Sequence, residues 1–344
     1  MMASPFEVIH ANAWQESLDV PSLNARVSEY IRGCVDTLRK AESGAVLVPK
    51  SRSLLLLGPA GSGKTHLFTR LRRQVGCRGI FVHTRPEIGV EPAPRHVLSA
   101  IVHSLRQPVF AREERQIDIV VGTLLARASG APAHFPLAFL ADCQGQTDTA
   151  QLRLCERAIV RAEDRSADVW PEYLSHLLRI PFADRMEQRA LWTWLSGGEP
   201  SQVQLDRLGR QTALHDDDVM RALRTLGVAA TFGAPLVLVL DQLENLADDE
   251  GKTGRISQYA RLVSELRDTV RGLVIVQMAL DSVWMARVHP VLQASMRDRL
   301  EERVEYLDAP TAEERVALVR CWVEALILPA EQLDPHGSFL LEDV

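Results

Sequence analysis

The chain has 344 residues, 46% hydrophobic and 24% charged, the balance of a globular protein with a sizeable core and not of a disordered one. A formal net charge of −6 excludes a surface built wholesale to coat nucleic acid, though not a local basic patch. The cysteines (Cys34, Cys77, Cys143, Cys155, Cys321) are odd in number and share no metal-ligand spacing, no apolar run reaches membrane-span length, and no basic-apolar leader opens the chain, so the expected setting is cytoplasmic.

Residues 1–50 precede the first strong signal. Ser22 to Lys40 has helical periodicity, with Leu23, Val27, Tyr30, Ile31, Val35 and Leu38 near one face, and Asp19-Val20-Pro21-Ser22 reads as its lead-in. Such a helix can pack beside a nucleotide base or serve packing alone. Residues 54–65 then read Leu-Leu-Leu-Leu-Gly-Pro-Ala-Gly-Ser-Gly-Lys-Thr, a strand running into a complete G-x-x-x-x-G-K-[ST] loop. The glycines Gly58, Gly61 and Gly63, with Pro59, Ala60 and Ser62 between them, let backbone wrap a polyphosphate and aim N–H groups at it. Lys64 supplies a mobile point charge for the β- and γ-phosphates, and the Thr65 hydroxyl is placed to ligate Mg²⁺. A helix starting near Lys64 and running through His66 adds its positive N-terminal end, so His66 joins the expected cofactor-binding set.

A second strand is expected at Gly79–His83. The span from Pro86 to Ala234 is too long for a simple crossover and reads as one helical insertion. Its expected helices are Arg95–Leu105, Glu113–Ala128, Thr149–Asp164, Pro171–Ile180, Asp184–Leu195 and Asp216–Thr231. Leu191, Trp192, Trp194 and Leu195 read as insertion core, with a partner surface as the alternative.

The third strand, within 235–244, is Pro-Leu-Val-Leu-Val-Leu followed by Asp-Gln-Leu-Glu. Its unbroken apolar run suits a central parallel strand covered on both faces, and Asp241 falls at its carboxyl end, where open α/β sheets bind ligands. Asp241 is expected to hold Mg²⁺, directly or through water. Glu244 could polarise an attacking water, or cap a helix. Gly251-Lys252-Thr253 mimics a loop end, but lacks the earlier glycine and follows Asp248-Asp249-Glu250, which would repel phosphate. A helix at 254–271 leads to a fourth strand, Gly272–Gln277, where Gln277 is expected at the strand end beside Asp241, either sensing the γ-phosphate or holding the water, or as a structural amide whose hydrogen bonds are satisfied at the strand end. Arg297, Arg299 and Arg303 precede a fifth strand at Val304–Leu307; they are either a source of an arginine finger acting on a neighbouring subunit or an exposed, ion-paired helix face. Thr311-Ala312-Glu313-Glu314 opens a last helix with a capping-box start. Alternating strands and helices imply an α/β fold with a parallel sheet.

Taken together, the loop at 58–65 and the strand ending in Asp241 resemble the additional-strand P-loop ATPases, the branch containing AAA+ and STAND proteins. Leu-Val-Leu-Val-Leu-Asp-Gln-Leu-Glu-Asn-Leu is similar to the apolar-Asp-Gln-x-Glu pattern of bacterial STAND-type and defence-associated ATPases. Gly-Lys-Thr-His-Leu is similar to initiator-clade AAA+ proteins. The resemblance covers about 51–85 and 235–330. It implies sheet order 5-1-4-3-2, ATP and Mg²⁺ as ligands, ATP-dependent assembly and a C-terminal helical lid. The implied organisation is an N-terminal helical segment (1–50), an ATPase core (51–310) with a helical insertion (86–234), and the start of a lid (311–344). The implied activity is ATP hydrolysis coupled to self-assembly or to remodelling of a protein partner, with bacterial defence as the setting that the resemblance suggests. Catalytic positions would be Lys64, Glu244, Gln277, Arg297 and Arg299. The alternatives are a nucleotide-gated DNA-binding ATPase, such as an initiator or transposition regulator, and a scaffold that binds ATP without turnover. Two departures matter: Glu244 is not adjacent to Asp241, as the usual AAA+ acid pair is, and the insertion is long for a compact AAA+ core.

Overall fold

The computed structural model describes Trp14 and residues 19–20, 22–40, 51–86, 93–109, 112–131, 135–247 and 253–327. Pro21, the imitation loop end at 251–252 and the lid beyond 327 lie outside the described residues. The apolar runs form five strands: β1 (Arg52–Leu57), β2 (Ile80–Thr84), β3 (Leu236–Leu240), β4 (Leu273–Ala279) and β5 (Val304–Tyr306). They pair in parallel throughout, in the order β2-β3-β4-β1-β5, which from its other edge reads 5-1-4-3-2. The protein is therefore α/β with a single described parallel sheet.

Side-chain alternation along each strand builds two cores at once. Leu54, Leu56, Phe81, Val237, Val239, Val274, Val276 and Met278 point to one face, where they meet α1 (Ala25–Lys40) and α2 (Lys64–Val75). Leu55, Leu57, Ile80, Val82, Leu236, Leu238, Leu240, Leu273 and Ile275 point to the other. Each such side chain contributes about 1.5–3 kcal/mol on leaving water.

The second face is covered largely by the segment between β2 and β3. It comprises α3 (Ala93–Leu105), α4 (Gln116–Ser129), α5 (Pro136–Gln144), α6 (Asp148–Arg165), α7 (Pro171–Arg179), α8 (Arg185–Leu195), α9 (Gln202–Leu208) and α10 (Asp216–Ala230). These helices share one continuous apolar core with the sheet. Leu191, Trp192, Trp194 and Leu195 are all buried in it, so they are core and not a partner surface. Trp194 packs against Trp170, Tyr173 and His176, and the Tyr173 hydroxyl donates to Leu195 O at 2.9 Å.

Two insertion helices are absent from the sequence reading. In α5 the run Leu137-Ala138-Phe139-Leu140 is apolar all round and shows no helical stripe. The helix α9 has seven residues, but it does carry a legible start: Ser201 and Gln204 form a reciprocal capping box.

Beyond β3 the chain makes a 3₁₀ turn (Leu243–Ala247), then α11 (Thr253–Thr269) and β4. A single turn, α12 (Asp281–Val283), runs into a π-helical turn (Trp284–Val288), followed by α13 (Ala294–Leu300), β5 and α14 (Ala312–Ile327). The Thr311 hydroxyl and the Glu314 carboxylate close the expected capping box. No described helix is long and apolar enough to cross a membrane.

The outer edge of β2 would expose unpaired backbone to the insertion. Gln116, 3% exposed at the start of α4, covers it in the manner of a strand. Its Oε1 accepts from Phe81 N at 2.6 Å, and its Nε2 donates to Phe81 O and Ser104 O, both at 2.8 Å. Gln116→Ala leaves these backbone groups buried and unpaired, and should destabilise the protein by about 2–4 kcal/mol. Urea unfolding of wild type and mutant measures this; a loss below about 0.5 kcal/mol would mean that water replaces the amide.

Candidate functional site

The carboxyl edge of the sheet gathers the loop ends that follow β1, β2, β3 and β4, the usual ligand position in open α/β sheets. The loop after β1 is tightly folded. A Cβ on Gly58 would lie 2.7 Å from Leu307 O and 2.8 Å from Ser62 Oγ, so only glycine fits there. Gly63, at φ +85°, is the left-handed N-cap of α2 and offers no side-chain acceptor to that helix. The first-turn N–H groups of α2 have no acceptor within their own helix, and the helix dipole adds positive potential at that end. The Lys64 ammonium folds over the loop, 2.8 Å from both Gly58 O and Pro59 O and 3.3 Å from Ser62 Oγ.

Asp241 comes to this loop from a segment 176 residues away: the Thr65 hydroxyl donates to its Oδ2 at 3.3 Å. The alternation rule explains the meeting. Residues 237, 239 and 241 share the β3 face that packs on α2, so the first polar residue after the apolar run emerges against the N-terminus of that helix. Asp241 is 2% exposed. Its Oδ2 also lies 3.2 Å from His83 Nε2, and its Oδ1 accepts from Gln242 N at 2.9 Å. Burial pushes its carboxyl toward the neutral form, but the hydrogen bond and charge of His83, with Arg85 and the Gln242 N–H, more than reverse this. Asp241 is held below the usual carboxylate range and is ionised at neutral pH.

Glu244 sits on the 3₁₀ turn and accepts from Leu280 N at 3.3 Å, tying the end of β3 to the end of β4. Burial lowers the Lys64 pKa, against the fields of Glu244, Asp241 and Asp281, which favour its charge. Lys64 therefore faces three acids drawn from two strand ends. Asp281 escaped the sequence reading because that reading ended the fourth strand at Gln277; the strand runs to Ala279, and Asp281 is the acid just past it.

Backbone strain marks the same place. Asn24 (φ 55°) and Gln242 (φ 61°) are the described non-glycine residues with positive φ. Gln242 directly follows Asp241, and Asn24 Nδ2 donates to Ser62 O at 3.1 Å. The N-terminal segment is latched beside the loop by Arg70, whose side chain is 1% exposed. Arg70 Nε donates to Asp19 Oδ1 at 2.7 Å, while Arg70 also donates to Val20 O at 2.6 Å and to Leu23 O.

One expectation needs correction. Gln277 is not at a strand end facing Asp241. Its neighbours Val276 and Met278 point toward α2, so Gln277 points to the opposite face, where it is fully buried. There its Nε2 donates to Ser53 Oγ and Leu300 O, and its Oε1 accepts from Tyr259 OH at 3.0 Å. His66 keeps its expected place in the first turn of α2, and its ring Nε2 lies 3.1 Å from Asp19 Oδ1. The arginines preceding β5 do not reach the loop of their own chain. Arg297 donates to His289 O and Leu292 O, Arg299 pairs with Asp268 at 2.8 Å, and Arg303 pairs with Glu305 and lies over the Tyr30 ring. Asp268 is in the last turn of α11, close to Val270, whose carbonyl accepts from Ser51 before β1. Arg299 therefore lies toward the amino edge of the sheet, away from the loop.

No protein-family model matches the chain, and no curated protein matches it. The site's chemistry rests on its own geometry: N–H donors and an ammonium suited to a polyanion, beside hard oxygen donors suited to a divalent cation.

The latch carries a pH signature. Burial opposes ionisation of Asp19, yet hydrogen bonds from His66 and Arg70 bring its pKa down to about 2. A carboxyl depressed on folding stabilises the fold above its unfolded pKa, about 3.9, and that contribution is lost as pH falls through the folded value. Asp19→Asn strands the buried Arg70 charge and should cost about 3 kcal/mol at pH 7. The gap between wild type and mutant should close between about pH 4 and pH 2. Chemical unfolding across that range measures it, and a gap independent of pH would assign the loss to packing.

Proposed function

We propose that this protein is an ATP-binding, ATP-hydrolysing switch of the additional-strand P-loop class. The observation that carries this reading is the convergence of Lys64 and Thr65 on Asp241 and Glu244 at one sheet edge. The strand order read from the β5 edge supports the same class. In this reading Gly58, Pro59, Ala60, Gly61, Ser62 and Gly63 wrap the triphosphate. Lys64 leaves the loop carbonyls for the β- and γ-phosphates, and the N–H groups of Thr65 and His66 add donors at the helix start. The Thr65 hydroxyl gives its one proton to Asp241 and keeps its lone pairs for Mg²⁺. Among the described residues no group of three or more His, Cys, Asp or Glu forms an all-protein metal cage. Mg²⁺ would therefore share its sphere with phosphate oxygens and water, as that ion commonly does.

Glu244 orients the attacking water in this scheme. Arg297 and Arg299, both bonded to groups other than their own loop, act in trans in this reading, within a self-assembly or against a protein partner. One observation favours the slower alternative, a scaffold that holds ATP with little turnover: the Glu244 carboxylate is already engaged by Leu280 N–H. DNA binding is a separate reading, tested by the salt dependence of association.

Lys64→Ala should abolish binding of ATP-Mg²⁺ in calorimetric titration while circular dichroism stays unchanged, because the side chain bonds only to its own loop. Equal affinity in mutant and wild type would overturn the assignment of the loop. Glu244→Gln should retain ATP and slow steady-state hydrolysis by on the order of 10²-fold. Unchanged turnover would make Glu244 a tie between β3 and β4 and nothing more.

A further inference from the structure

We propose that His83 is the positioning residue for the metal-holding carboxylate: it fixes Asp241 so that Thr65 and Asp241 together select the Mg²⁺-bound form of the nucleotide. The inference rests on the reading that these two residues hold Mg²⁺. It concerns a residue that neither contacts phosphate nor ligates metal in that reading.

The placement follows from the sheet. His83 pairs with Val239 in the β2–β3 register, and Asp241 N donates to Thr84 O at 2.9 Å, so the two strand ends are locked together. His83 lies on the same β2 face as Phe81, toward α2, and its ring sits 5.2 Å from the Phe68 ring. The side chain is 11% exposed. Packing against Phe68 holds the imidazole in place, and its Nε2 meets Asp241 Oδ2 at 3.2 Å.

As a metal-holding carboxylate, Asp241 accepts hydrogen bonds and donates none. The hydrogen of this contact therefore belongs to His83 Nε2, which sets the ring's donor atom. Oδ2 then takes two donors, the His83 N–H and the Thr65 O–H, while Oδ1 takes the Gln242 N–H. Both carboxylate oxygens are oriented, and an acceptor position on Oδ1 stays open. Without His83 the buried carboxylate loses a hydrogen-bond donor and one of its three restraints. The Thr65 hydroxyl then bonds a carboxylate held by fewer restraints, and the pair presents a less fixed oxygen geometry. Mg²⁺ tolerates such looseness poorly because it demands near-octahedral ligands. Groups of this kind, one bond removed from a metal, change its affinity by about 10- to 100-fold when removed.

The test is ATP affinity, by calorimetry, as a function of free Mg²⁺ and in excess chelator, for wild type, His83→Ala, His83→Gln and His83→Asn. In His83→Ala the Mg²⁺ concentration giving half the full gain in affinity should rise by about tenfold or more. ATP affinity in chelator should stay within about twofold of wild type, since the loop and Lys64 are untouched. Gln, whose Nε2 amide lies at about the reach of the imidazole Nε2, should restore most of the Mg²⁺ response; Asn, one methylene shorter, should not. If the alanine protein does not fold, the Gln and Asn pair carries the same comparison. An unchanged Mg²⁺ response in His83→Ala, or equal losses with and without Mg²⁺, would overturn the role of His83 and leave ATP binding standing. A wild type that binds ATP without regard to Mg²⁺ would remove the metal assignment and His83 with it. No ATP binding by wild type in either condition would overturn the proposed function itself.

Discussion

Burial of the parallel sheet on both faces constrains everything else in this protein. Leu236 through Leu240 are each 3% exposed or less, so polar chemistry has no room on either face of that strand. It is confined to strand ends, where the backbone turns and water reaches. The same burial makes side-chain parity decisive. A residue one place earlier or later in a strand belongs to the opposite core. Asp241 and His83 fall on the parity that faces α2, and Gln277 falls on the other.

The buried polar groups show how strictly this constraint is met. Gln277 spends its amide on Ser53, Leu300 and Tyr259 within the sheet–helix layer, and Gln116 spends its amide on the β2 edge and on Ser104. Neither faces the candidate site. Both satisfy donors and acceptors that would be expensive to leave unpaired in a low-dielectric interior. A glutamine inside an apolar run is thus as readily a repair of backbone or packing geometry as a ligand contact.

At the carboxyl edge the balance is electrostatic. Lys64 loses hydration but lies in the field of Glu244, Asp241 and Asp281. Asp241 loses still more, and the donors around it hold it ionised. The loop is also braced from outside, by Asn24 on Ser62 and by the Arg70–Asp19 pair that ties α2 to the segment preceding α1. Hydrogen bonds hold both positive-φ residues in place: Asn24 bonds to Ser62 and accepts from Ser28, and Gln242 bonds to Asp241 and accepts from Asn245. The helix that begins the described chain is therefore mechanically joined to the loop that begins α2.

Local patterns were enough to read the strand–loop–helix at 54–71, the apolar strand ending in Asp241, the N-terminal helix and most helices of the insertion, because each is written in adjacent residues. The glycine spacing and strand-end acid named the loop and Asp241 without any knowledge of contacts. Sheet order came from the resemblance, not from the residues themselves. Short-range patterns carry no signal for α5, whose apolar residues form no stripe, and the strand-length error at β4 hid Asp281. What only the tertiary structure decided is which strand end meets which. His83 reaches Asp241 because β2 pairs with β3, Gln277 turns away because of its parity in β4, and His66 turns toward Asp19 because the N-terminal segment lies over α2. Those outcomes depend on register and on contacts across 158, 18 and 47 residues of chain, and periodicity within a single segment contains no information about them.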